Sequence, residues 1–169
     1  MASQFSLREF QTRLSQQIRD AASRPGTTSR LGFLCGGRHW LVALSAIEEV
    51  IPVPVITPVP GVKNWFRGMI NVRGNLYAVT DLNTFLDGSP TPDTPHCRLL
   101  LAHLGKGMNA AFRVERVIGL RQSHHWPVAA TARTHPCIHQ SLTDDAGQDW
   151  QELDFARLLA QPELLAVEA

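Results

Sequence analysis

The 169-residue sequence has little charge of either sign to spare: 16 lysines and arginines stand against 15 aspartates and glutamates, a formal net of +1. A near-neutral chain offers no field to draw in nucleic acid or an anionic membrane surface as a main partner. No apolar run approaches the roughly 20 residues that a membrane-spanning helix needs. The opening MASQFSLREF has neither the basic start nor the apolar centre of a secretory leader. Cysteine is scarce: Cys35, Cys97 and Cys137 are widely spaced and odd in number, which argues against a disulfide framework. The expected location is therefore a reducing cytoplasm. There is no phosphate-binding glycine loop, no nucleophile elbow and no pair of carboxylates on a common element. The expectation is a protein with no chemistry of its own and no cofactor.

What is present is a composition able to build a core, with 44% apolar and 18% charged residues. The clearest helix comes first. Ser6 and Glu9 form a capping box, Phe5 and Phe10 can close a hydrophobic staple, and Leu7, Phe10, Leu14, Ile18 and Ala21 recur on one face. Arg24-Pro25-Gly26 stops it, so residues 1–30 read as an amphipathic helix and a linker. Its stripe either docks on the body or meets a partner; docking is the better-supported reading.

From Leu31 the period becomes that of strands. LGFLCGGRHWLVAL (31–44) is a hairpin around Gly36-Gly37. AIEEVIPVPVITPV (46–59) is β-branched but broken by Pro52, Pro54 and Pro58, which suits an edge or crossover because each proline removes a ladder donor. GMINVRGNLYAVTDL (68–82) is a second hairpin. DGSPTPDTPH (87–96) is a surface connection and the expected boundary between halves spanning about 31–90 and 91–169. Beyond it, 98–104, 108–114 and 115–120 read as strands, with Gly105-Lys106-Gly107 as a turn. Residues 121–149 are poorly patterned, with loops and one or two short strands expected. DWQELDFARLLAQPELL closes the chain as a strand and a short helix.

Two segments echo each other. In VTDLNTFL (79–86) and ELDFARLL (152–159) a strand ends on an aspartate and a helix follows. Asp81 and Asp154 are expected to cap those helices, since a carboxylate there accepts orphan amide protons and meets the positive end of the helix dipole. The repetition suggests a duplicated small-barrel design.

In the second hairpin, a two-residue turn at Gly74-Asn75 sets Arg73 opposite Leu76, Val72 opposite Tyr77, Ile70 opposite Val79 and Gly68 opposite Asp81. Ile70, Val72, Tyr77 and Val79 then share a core face, while Met69, Asn71, Arg73, Leu76, Ala78 and Thr80 share an exposed one. Arg73 stands at the tip of that exposed surface. On the hairpin alone, a solubilising edge charge explains it best.

The stretch as a whole resembles the signature hairpin of CheW-like domains, the adaptors of bacterial chemosensory arrays. In them a glycine, an asparagine-hydrophobic-arginine-glycine step and a terminal aspartate-leucine recur. Residues 31–44, AIEEVI (46–51), TPVPGVKNWFRG (57–68) and RLLLAHLGKGMNAAFRVERVIGL (98–120) are similar to the flanking parts. The N-terminal helix and the closing WQELDFARLLAQPELLAV look most like the pilus-associated branch of the family. The resemblance implies a mainly β fold of two small five-stranded barrels within residues 31–169, with an N-terminal and a short C-terminal helix. It implies a cytoplasmic, non-enzymatic adaptor that couples a CheA-type histidine kinase, through its regulatory domain, to the cytoplasmic tip of a methyl-accepting chemoreceptor. Control of type IV pilus twitching motility is the expected output. Glu49, Gly68, Arg73 and Gly74 fall on positions that serve partner contacts or the turn beside them, Val114 and Val117 near a second-half surface, and Asp81 on a structural cap. Two departures stand out. Val114-Glu115-Arg116-Val117 replaces a frequent Val-Asp-x-Val, and residues 121–149 lack the glycine-rich late-barrel pattern, which leaves the second barrel irregular or partly open.

With the resemblance in view, Arg73 is expected to present its planar fork to a partner's carboxylate or carbonyls, with Met69 and Leu76 supplying apolar surface around it. Glu49 either meets a partner or pairs with Arg73. His124-His125 and His135-Pro136-Cys137-Ile138-His139 collect possible metal ligands. Their spacing fits no helical histidine pair, so a solvated loop without metal is expected. The rival reading, from another class, is a small barrel that binds single-stranded nucleic acid. It calls for a basic groove with interleaved aromatics, which a near-neutral chain with 7% aromatics does not supply.

Overall fold

A computed structural model describes residues 12–17, 20, 29–103, 109–130 and 135–169. The strands among them are β1 (Ser29–Cys35), β2 (Arg38–Ala43), β3 (Glu49–Pro52), β4 (Phe66–Val72), β5 (Asn75–Asp81), β6 (Arg98–His103), β7 (Asn109–Val114), β8 (Arg116–Gln122), β9 (Ile138–Thr143) and β10 (Asp149–Leu153). Three short helices follow strands or one another: α1 (Leu82–Asp87), α2 (Phe155–Leu159) and α3 (Pro162–Leu165). Residues 12–17 are helical too. The Ser6–Glu9 capping box and the Gly105-Lys106-Gly107 turn lie outside the described residues. Among the described residues, no helix is long and apolar enough to cross a membrane.

Turn chemistry sets the hairpins. Gly36 and Gly37, with φ of 61° and 67°, join β1 to β2 and pair Cys35 with Arg38. Two positive φ values match the right-handed twist of the strands they connect. The β4–β5 turn differs from expectation: its central residues are Arg73 and Gly74, with φ of 51° and 87°. Val72 therefore pairs with Asn75, Ile70 with Tyr77 and Gly68 with Val79. The cause is local. Asn71 Oδ1 accepts the Gly74 N–H at 2.9 Å, tying the strand end to the turn one residue early. Each strand partner moves by two positions, an even slip that preserves the faces. Ile70, Tyr77 and Val79 are buried together as the alternation requires.

The strands form two five-stranded sheets, ordered β8-β1-β2-β10-β9 and β3-β6-β7-β5-β4. Neither sheet is a sequential half. The expected division at the 87–96 connection is corrected: β6 and β7, beyond it, complete the sheet of β3–β5, while β1 and β2 join β8–β10. The duplication lies in this pattern. The run β3-β4-β5-α1 is completed by the β6–β7 hairpin, and the run β8-β9-β10-α2 by the β1–β2 hairpin from the start of the described body. Each sheet has one parallel pairing at the equivalent place, β5 with β7 and β10 with β2. The irregular 121–149 region thus holds, among its described residues, the last two residues of β8, all of β9 and the first residue of β10.

An isolated bridge draws each sheet's edges together. Past β3, Thr57 exchanges two 2.9 Å hydrogen bonds with Met69 of β4. Past β8, Val128 bridges Leu142 of β9, with hydrogen bonds of 2.8 and 3.0 Å flanking it. The proline-interrupted stretch after β3 therefore lies along the opposite edge, where ladder donors are little needed. Gly68 makes the first approach possible: a Cβ there would sit 2.1 Å from the Thr57 carbonyl oxygen, and its φ is 129°.

Burial follows the alternation. In β6, Leu99 and Leu101 enter a core within the β3–β7 sheet with Ile70, Tyr77, Val79 and Ala111, whereas Leu100 faces a larger core shared with the other sheet. Burial on both faces explains the unbroken RLLLA run. Leu41, Leu142 and Trp150 form the smaller core of the second sheet. The single expected C-terminal helix is two, because Pro162 opens α3 at a first-turn position that needs no N–H. The tail then returns: Lys63 donates to the Val167 carbonyl at 2.9 Å and Ala169 to that of Gly61 at 3.0 Å. Leu14 is 8% exposed and belongs to the shared core with Val50, so the stripe meets the body at that residue; Leu7, Phe10, Ile18 and Ala21 lie outside the described residues.

Candidate functional site

The site grows from a turn that holds an arginine in left-handed backbone. Arg73 is the only non-glycine residue with positive φ among the described residues, a conformation in which a Cβ is crowded by the neighbouring carbonyl. Its side chain reaches across to β3, the opposite edge of the same sheet. Nη1 donates to Glu49 Oε2 at 2.8 Å and Nη2 to Oε1 at 2.9 Å, a parallel two-bond fork. The arginine side chain is 70% exposed and the carboxylate 18%. Glu49, by hydrogen bond and then by charge, holds the guanidinium pKa above its ordinary value. Of the two readings open for Glu49, the structure shows the pairing with Arg73. Beside it, Tyr77 donates its hydroxyl to Glu48 at 3.0 Å. Burial first, and that bond second, push the phenol pKa up.

The apolar surface expected around Arg73 lies on another side of the hairpin. Met69 and Leu76 line a groove of about 400 Å³ with Phe66, Phe112, Leu164 and Leu165. Arg73 instead lines a cleft along β3. The groove is not marked by any local pattern, because one wall is closed by Leu164, Leu165 and Val167 from the C-terminal segment, whose docking is a long-range contact. Leu76 and Leu165 are nevertheless among the most exposed large apolar side chains.

The remaining candidates divide. Gly68 and Gly74 serve the edge closure and the turn. Val114 and Val117 are 0% and 7% exposed within the core shared by the sheets. Their assignment as partner contacts is corrected, since the chain itself covers them. Glu115, the longer residue between them, accepts the Gly37 N–H at 3.1 Å and so holds the β1–β2 turn. Asp81 is fully buried. Its carboxylate accepts the Thr84 N–H at 3.1 Å, capping α1, and both the N–H and hydroxyl of Thr91, while Arg113 Nη1 lies 3.4 Å away. Asp154 caps α2 through the Arg157 N–H at 3.1 Å. The buried Arg113, which also donates to Asp93 at 2.8 Å, was missed by sequence reasoning. Of the histidines, His125 lies 3.2 Å from Asp145, and His135 Nδ1 accepts the Cys137 N–H. No three His, Cys, Asp or Glu side chains converge on one point among the described residues.

Two interlocked five-stranded sheets, each with a parallel pair and an aspartate-capped helix, and a left-handed Arg-Gly turn define a class. The CheW-like domain model matches residues 30–163, and the chain belongs to that family. CheW-like scaffolding proteins act without catalysis, and this chain is a non-enzymatic member. The fold is similar to the crystal structure of the scaffolding protein TtCheW from Thermoanaerobacter tengcongensis, with a TM-score of 0.66, 16% identity, and coverage of 78% of this chain and 86% of that one. In sequence it is 34% identical over 115 residues to protein PilI of Pseudomonas aeruginosa. That match takes in 68% of this chain and 62% of PilI.

Proposed function

We propose that the chain is a cytoplasmic adaptor of a PilI-like chemosensory system, coupling a CheA-type histidine kinase to a methyl-accepting chemoreceptor in control of type IV pilus twitching motility. The observation that carries this reading is the Arg73 turn: an exposed guanidinium in strained backbone, braced by Glu49, on a CheW-like fold. Backbone held in a sparsely populated conformation persists where its surroundings over-determine it, and such positions cluster at functional sites. Arg73 and Glu49 serve as contact residues, Gly74 lets the turn form, and Gly68 supports the surface from behind. In this reading each sheet, closed by its bridge, works as one small barrel presenting a partner face. The adaptor shifts kinase output only through contacts that differ between receptor states, because a ligand with equal affinity for two states shifts neither.

The nucleic-acid alternative finds no support. Among the described residues the most exposed large apolar side chains are Val55, Val59, Leu76, Val128 and Leu165, none of them aromatic, whereas Phe33, Trp40, Tyr77 and Phe112 are buried. Among the described residues, no large exposed apolar side chain offers a stacking platform for unpaired bases.

The test is reconstitution of kinase, receptor fragment and adaptor, comparing the wild type with Arg73→Glu. Loss of receptor-dependent kinase control in the variant is expected. Unchanged control would remove Arg73 from the site.

A further inference from the structure

The N-terminal helical residues stand beside the Arg73–Glu49 pair. Leu14 anchors them in the core shared with Val50, and Thr12, Ser15 and Gln16 line, with Glu49 and Arg73, a cleft of about 360 Å³ along β3. We propose that this cleft is a single composite binding surface, with the helix as one wall and Arg73 as its rim, and that it takes an acidic polypeptide segment of a partner. The inference rests on the reading of the Arg73 turn as a partner contact and extends it to a second element.

Two observations decide its form. With the helix seated, the Arg73 side chain is still 70% exposed, so the helix flanks the arginine and does not cap it. A cover would have buried it. The second concerns charge. Glu49 is 18% exposed and both its oxygens are taken by the Arg73 fork, so the member of the pair open to a partner is the cation. Guanidinium accepts a further carboxylate at its exposed edge. The Ser15 hydroxyl and Gln16 amide on the facing wall can hydrogen-bond such a segment and carry no charge to repel it. Val50 and Pro52 give the floor its apolar part.

The test measures dissociation constants of the full chain for the receptor-tip fragment and, separately, for the kinase regulatory domain, by calorimetry at physiological salt. Ser15→Glu/Gln16→Glu, which sets two like charges against an acidic segment, is expected to weaken one of the two by about tenfold or more. Ser15→Lys/Gln16→Lys should leave that affinity unchanged or tighten it. Leu14→Ala, which loosens the wall, should weaken it, with thermal melts reporting that the body remains folded. If the acidic pair leaves both affinities within about twofold while Arg73→Glu weakens binding, the composite cleft is wrong and the Arg73 contact stands. Equal weakening by the lysine and glutamate pairs contradicts an acidic occupant, and tighter binding by Leu14→Ala makes the helix a cover. If Arg73→Glu also has no effect, the underlying site falls and the cleft with it.

Discussion

At the residue scale, local chemistry was readable and burial was not. The Asn71-Val72-Arg73-Gly74 run marked a hairpin turn, expected at Gly74-Asn75, and the structure adds why the arginine sits in it: Asn71 pins the turn one position early, and the fork to Glu49 fixes the side chain. Val114 and Val117 show the limit. β7, covered on both faces, offers no polar alternation to mark an outer side for Val114, and Val117 on β8 is covered by the same shared core, which no local pattern specifies. Cys137 yields a prediction at this scale. Burial, with help from the Asp154 and Glu163 charges, pushes its thiol up to about 11 from an ordinary value near 9. Between those pH values the native state holds a proton that the unfolded chain has lost, so stability falls as pH rises through the window. Tyr77, also raised, acts in the same direction at higher pH. The melting midpoint should drop between pH about 9 and about 11, and Cys137→Ala should flatten that drop. An equally steep drop in the variant would assign it elsewhere.

At the element scale, one motif serves two helices with different stakes. The paired strand–aspartate–helix units were legible because a cap is a local contact between residues three apart. The Arg113 partnership of Asp81 was not, because it joins β7 to the end of β5 across the proline-rich loop. The costs should differ accordingly. Asp81→Ala strips a carboxylate from a buried arginine and orphans the Thr91 donors, an expected loss of about 3 kcal/mol or more. Asp154→Ala removes a half-buried cap, an expected loss of about 1 kcal/mol. Urea unfolding of the two variants measures both, and equal losses would deny Asp81 its role as the clamp of residues 88–97.

At the scale of the whole molecule, the repeat could be heard in the sequence but its partition could not. Strand pairing over long separations decided it: β1 takes β8 as a neighbour, and β2 takes β10. The interlocking has a consequence. A fragment spanning residues 29–96 contains β1–β5 but lacks β6 and β7 for one sheet and β8–β10 for the other, so it is expected to show no cooperative thermal unfolding. A well-dispersed amide spectrum from that fragment would restore the sequential division. Within one of these sheets, the Arg73 turn and Glu49 lie on opposite edges, drawn together by the Thr57–Met69 bridge that Gly68 permits. In the proposed function, a fixed geometry between Arg73 and Glu49 would let small differences between receptor states reach a kinase.

The most direct test separates the arginine's contact from its fold. In Arg73→Gly the left-handed turn becomes easier to form, because glycine tolerates positive φ, while the guanidinium is lost. The melting midpoint should therefore hold or rise as affinity for the receptor-tip fragment or the kinase regulatory domain falls by about tenfold or more. Unchanged affinity for both, in a variant that folds as well as the wild type, would contradict the account.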